Sequence, residues 1–153
     1  MNKQILFESA LRLKQPESEA VQEYENKRGT LVAKVDKLML NRSDINGLVC
    51  KKNIEMMMDN HANHARFMIS IFHVFNAEVL IETILWVFRA YRNRGFTTNY
   101  WAAQLNTWIN VLGEELSEAS YKEIYPYYQW MLVNIPVFTE LSQQNIDSPF
   151  SDY

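Results

Sequence analysis

Apolar residues recur at spacings of three and four along most of this chain, the pattern of helices that bury one face. Val21, Tyr24, Arg28, Leu31, Val35 and Leu38 form one such stripe. It predicts a long helix from about Pro16 to Leu40. Pro16 suits a first turn, and Glu17 and Glu19 suit the positive end of the helix dipole. Arg28 and Gly29 on or beside the seam make it a bundle helix rather than a coiled coil. Ile5, Leu6, Ala10 and Leu13 predict a short helix before it. Asn41 to Gly47 reads as a connector, with Ser43 or Asp44 as a cap.

A second stripe, Ile54, Met57, His61, His64, Met68, Ile71 and Phe75, predicts a helix that Asn76 closes. From Ala77 to Asn93 the chain is nearly apolar all round. Val79, Leu80, Ile84, Leu85, Val87 and Phe88 surround the axis, which predicts a central helix covered by neighbours. Arg89, Arg92 and Arg94 suit its negative end, and Gly95 with Phe96 provides the stop. Thr97 or Thr98 is expected to cap a helix carrying Trp101, Leu105, Trp108 and Leu112 on one side, and Gly113 to Ser117 is expected to be a turn. Ser117 then caps a last long helix lined by Tyr121, Ile124, Tyr128, Met131 and Ile135, in which Pro126 and Pro136 kink or restart the chain. No segment has strand periodicity. The expected fold is all-α, a globin-like or helical-bundle domain of about six helices. It spans residues 1–146, with a loose tail from Asp147 to Tyr153.

Composition agrees with one domain and narrows its class. The chain has 153 residues, of which 48% are hydrophobic, enough for a sizeable core. A net charge of −3 argues against a nucleic-acid binder, which carries a basic face. Glu78, Glu82 and Arg89 interrupt the most apolar stretch, so no membrane span is expected. The start, MNKQILFE, has no apolar run before its first acid, and no signal peptide is expected. A lone cysteine, Cys50, forms no internal disulfide and fits a reducing compartment such as the cytoplasm.

His61 and His64 are the one pair with ligand-like spacing, because residues three apart share a helix face. His73 points to the other side at about 100° per residue. A bundle di-iron site needs two Glu-x-x-His motifs, and the chain has none. The plainer reading makes both histidines hydrogen-bonded residues of a helix interface, with Asp59 or Asn60 nearby. Cys50 precedes Lys51 and Lys52, cations of the kind that accompany reactive thiols, yet a lone cysteine in a connector is more often a spectator. Glu114–Glu115 and Glu78–Glu82 are pairs of the kind solvated helices carry throughout. No nucleophile elbow, phosphate loop or dinucleotide fingerprint is present, so no catalytic residue is assigned and an enzyme ranks last. Aromatics make up 13% of the chain, and all four tryptophans, Trp86, Trp101, Trp108 and Trp130, fall in its second half. Tyr121, Tyr125 and Tyr128 share one helix face while Tyr127 and Trp130 lie towards the other. One core stripe does not take both sets, which predicts an interface at Tyr121, Tyr125, Tyr127, Tyr128 and Trp130.

The run FRAYRNRGFTTNYWAAQLNTW, from Phe88 to Trp108, resembles part of the sensor domains of stressosome co-antagonist proteins. IYPYYQWMLVNIPVFTELS, from Ile124 to Ser142, is similar to their closing helix. The resemblance implies a non-haem globin-like fold that dimerises and feeds an input to a following output domain. As read to Tyr153, the chain is expected to lack that domain and its phosphorylated threonines. The expected function is a cytoplasmic, non-enzymatic sensor or protein-interaction module of a bacterial signalling pathway. It would be homodimeric, bind a signalling protein, and use no cofactor. The alternative is a metal- or haem-binding helical protein using His61, His64 or His73.

Overall fold

The computed structural model describes residues 2–144, and within them every regular element is helical. The tail expected from Asp147 lies outside the described residues. Helix α1 (Lys3–Ala10) starts where the Asn2 side chain accepts from the Ile5 amide at 2.9 Å. The long helix expected from Pro16 is two, α2 (Ser18–Asn26) and α3 (Arg28–Leu40), broken at Lys27. The Lys27 ammonium bonds the carboxylate of Glu23 and the carbonyl of Glu115, which ties the break to a distant helix end. The break also shifts the buried face: Val21, Tyr24, Leu31 and Val35 are buried as expected, but Met39 rather than Leu38 continues the stripe.

The connector folds into a short helix α4 (Ile45–Val49) and a tight turn over Lys51–Asn53. Asp44 stands before α4 without capping it, because the Arg42 guanidinium holds its carboxylate at 2.9 and 3.0 Å. Helix α5 (Ile54–His73) follows, with Met57, His61, Met68 and Ile71 buried. Gln15, not Asn76, closes it, bonding the Phe72 carbonyl and accepting from the Phe75 amide. Asn76 instead opens α6 (Ala77–Arg92), accepting from the Val79 amide at 3.0 Å.

Helix α6 is not a central helix. Leu80, Ile84, Leu85 and Phe88 are buried, while Val79 and Trp86 are each nearly half exposed. One face of α6 therefore lies open, and Glu82 on its flank pairs with Lys3. Helix α7 (Thr98–Glu115) runs through the expected turn at Gly113, whose open side takes the Tyr121 ring. Ser117 caps α8 (Glu118–Val133) as expected, accepting from the Ser120 amide. The helix continues through Pro126, which is exposed, so water can reach the carbonyl that the proline leaves unpaired. Pro136 sits in the first turn of α9 (Ile135–Gln144), where a missing N–H costs nothing.

Around one continuous core, α3 lies along α7 and α5, α2 along α8, α6 along α9 and α1, and α7 against α8. Although α5 and α6 are consecutive, α6 packs chiefly on α9 and α1 rather than on α5. The gap between them shapes the site. Among the described residues no helix is long and apolar enough to cross a membrane.

Candidate functional site

A cavity of about 280 Å³ opens between α5 and α6. Its depth is apolar: Met68, Ile84, Phe88, Leu105, Met131 and Phe138 face it from five helices. Asn63 and Phe67 on α5 and Thr83 and Trp86 on α6 mark the accessible rim. Phe88 stacks on Trp101, with ring centroids 4.6 Å apart, and meets Phe138 edge-on, which stiffens the wall away from the rim.

Besides Asn63 and Thr83 at the rim, three more polar side chains line this space. Gln104 is 2% exposed and makes no hydrogen bond among the described residues. Asn60 is equally enclosed. Its carbonyl oxygen accepts from the Tyr100 hydroxyl at 2.7 Å, which leaves its NH₂ group unused. His64 is the third. Its Nε2 is 2.8 Å from the Tyr128 hydroxyl, which is 2.7 Å from the Tyr24 hydroxyl.

The direction of that chain follows from satisfaction. Burial raises the pKa of Tyr24 and Tyr128, so both keep their protons at neutral pH. If Tyr24 donates to Tyr128 and Tyr128 donates to His64, every O–H finds an acceptor. The reverse direction strands the buried Tyr24 proton. Nε2 of His64 is therefore the acceptor, and the proton sits on Nδ1. Burial first, and then the neighbouring His61, lowers the His64 pKa to about 3, so the ring is neutral at pH 7.

The histidine pair divides in role. His61 is fully buried, and its Nδ1 lies 2.6 Å from Asp36. His64 turns to Tyr128. His61 Nε2 has no partner among the described residues, and neither does Trp108 Nε1. Asp59 is exposed, and Asn60 serves Tyr100 rather than either histidine. Among the described residues no group of three or more His, Cys, Asp and Glu gathers to hold a metal. His73 is half exposed and pairs with Glu25 at 3.0 Å. Of the three histidines only His64 lines the cavity, with its Nε2 committed to Tyr128, so a haem there would find no free Nε2 as axial ligand.

The expected tyrosine interface needs correction. Tyr127, Tyr128 and Trp130 are buried within the chain. Tyr127 packs edge-on against Phe72 and Phe75 and donates to the Lys14 carbonyl at 2.7 Å. Trp130 donates to the Ser9 hydroxyl at 2.8 Å and packs on Phe138. The two faces of α8 have different neighbours inside the domain, and so both sets are covered. Tyr121 and Tyr125 pack on each other and stay partly exposed.

Two of the three arginines find partners on α9. Arg89 and Arg92 both bond the Ser142 carbonyl, and Arg92 bonds the Ser142 hydroxyl at 2.9 Å. They cap the end of α9 rather than their own helix. Cys50 is exposed, and its thiol lies 3.7 Å from the Gly95 carbonyl.

Sequence reasoning missed Gln104. A signal for it exists: it falls three residues after Trp101 and four before Trp108, on the stripe assigned to the core. A polar residue on such a stripe marks either a buried bond or a binding surface. No family model, curated protein or solved structure matches the chain.

Proposed function

We propose that this domain is a non-enzymatic, cytoplasmic sensor whose input is a small apolar molecule held between α5 and α6. The cavity carries the reading. Its volume of about 280 Å³ is lined by Gln104, a residue 2% exposed whose amide borders the cavity and bonds no described residue. An engineered apolar cavity of roughly 150 Å³ holds benzene. By that scale this space admits a molecule of about a dozen non-hydrogen atoms. Binding rather than turnover fits the lining, which includes no carboxylate, amine or thiol. The resemblance of Phe88–Trp108 and Ile124–Ser142 to stressosome sensor domains supports the signalling half of the reading. In it a globin-like domain passes occupancy to a second copy of the chain or to a separate signalling protein.

An environment-sensitive apolar dye tests the reading. It should bind the purified protein at one equivalent and brighten. Leu105→Trp, which fills the cavity with a buried indole, should abolish the signal while the helical circular dichroism stays unchanged. A wild-type protein that takes up no dye, or a variant that takes up as much, would refute it. Light scattering with and without a saturating occupant then shows whether a dimer forms and whether filling the cavity shifts it.

A further inference from the structure

We infer that the cavity selects an uncharged, mainly apolar molecule carrying a single hydrogen-bond acceptor of the carbonyl type, and that it discriminates against the carboxylate of the same chain length. The inference rests on the cavity being a ligand site, as proposed above, and adds which chemistry that site takes.

Three observations lead to it. First, none of the lining residues is Lys, Arg, Asp or Glu, and His64 is neutral at pH 7, so nothing at the wall offsets a buried charge. An unpaired ion in such a space loses its hydration without compensation. Second, the unused polar capacity is biased towards donors. Asn60 offers only its NH₂ group, because Tyr100 occupies its oxygen. His64 retains an N–H on Nδ1, because its Nε2 accepts from Tyr128. Gln104 offers both a donor and an acceptor to the cavity and bonds no described residue, as does Thr83 at the rim, where Asn63, its oxygen taken by Arg66, adds a further NH₂ group. An acceptor on the ligand therefore completes the wall, whereas a pure alkane leaves these donors unpaired. Third, the remaining surface is aliphatic and aromatic, with Met68, Leu105 and Met131 at depth, which suits an unbranched chain or a small ring.

The arrangement differs from an enzymatic oxyanion site. The donors are neutral amides and a neutral imidazole, and none stands beside a nucleophile. They fix the orientation of a carbonyl and set its price against water, and no bond is made or broken.

Calorimetric titration at pH 8 with three probes of matched length tests the selection: an eleven-carbon methyl ketone, the corresponding alkane and the corresponding carboxylate. The ketone should bind at least about tenfold more tightly than either of the others, the worth of one or two satisfied hydrogen bonds. Gln104→Met should weaken the ketone and tighten the alkane, bringing the two affinities together, and alkane binding doubles as the control for folding. The carboxylate should gain affinity as the pH falls towards its own pKa, since only the neutral acid enters. Alkane binding as tight as ketone binding would overturn the inference and leave the cavity as an unselective ligand site. Equal affinity for carboxylate and ketone at pH 8 would overturn it too. If the dye and all three probes fail to bind, the ligand-site reading falls and the selection falls with it.

Discussion

Replacing Gln104 by methionine should make the empty protein more stable. Gln104 is 2% exposed and has no hydrogen-bond partner among the described residues, but its amide borders the cavity rather than standing with the fully enclosed unpaired atoms, so folding takes only part of its hydration and returns no protein partner. An unsatisfied buried amide costs about 1–3 kcal/mol. The low end applies here, because the side chain faces a cavity with an open rim rather than close-packed atoms. Methionine matches glutamine in length and branching, so little strain is added. The net expectation is a gain of about 1 kcal/mol, or a rise in melting temperature of about 2–4 °C for a domain of this size. Urea denaturation is the assay, on protein first unfolded and refolded so that no carried-over ligand biases the wild type. The midpoint should rise with the slope unchanged. A midpoint that falls by the equivalent of 1 kcal/mol would mean that the Gln104 amide is satisfied in the folded chain, and the donor count at the cavity wall would be wrong.

The tyrosine chain gives an ordered pair of outcomes. Tyr128→Phe strands the Tyr24 proton and the His64 acceptor together and should cost about 1–3 kcal/mol, whereas Tyr24→Phe removes only a donor and should cost less. Equal costs in parallel denaturation curves would contradict the assigned chain. His64 predicts a pH dependence. Its pKa is about 3 folded against 6.5 for the free ring, so the unfolded chain binds the extra proton first, and stability should decline as pH falls from 6.5 towards 3. His64→Gln should flatten that part of the stability–pH curve, and a curve of unchanged slope would contradict the assignment. On α6, Leu85→Ala should cost about 2–5 kcal/mol because Leu85 is buried, while Glu82→Gln should cost about 0–1 kcal/mol because it loses only a surface pairing with Lys3. Comparable midpoints for the two variants would mean that α6 is rotated about its axis.

Local rules carried the architecture in the sequence, and tertiary partners supplied what those rules missed. The α5 stripe and the Ser117 cap were legible because each depends on residues within a turn or two of itself. The break at Lys27 was not, because the Glu115 carbonyl that draws on its ammonium lies in α7. Apolar content all round α6 read as burial on all sides. In fact the side bearing Trp86 faces the rim of a cavity, and a cavity wall and a core have the same composition. The tyrosines of α8 misled for the opposite reason: two aromatic faces need two neighbours, and α2 with the segment through Lys14 provides the second within the same chain. Of the site itself, His64 could be named from spacing. Gln104 could have been flagged as a polar residue on the stripe between Trp101 and Trp108, whereas the role of Asn60 could not, because it depends on a bond to Tyr100 in another helix.

The clasp between α6 and α9 has a mechanical consequence. Helix α6 carries the rim residue Trp86 and, about one and two turns further on, the arginines that grip Ser142. Helix α9 carries Phe138 on the cavity's far wall and ends in the turn those arginines hold. Rim, wall and clasp thus form a closed linkage of two stiff rods and a pin. An occupant that wedged α6 away from α5 would bear on the last turn of α9 through the two arginines, so a change of volume inside the domain would be felt at one helix end on its surface.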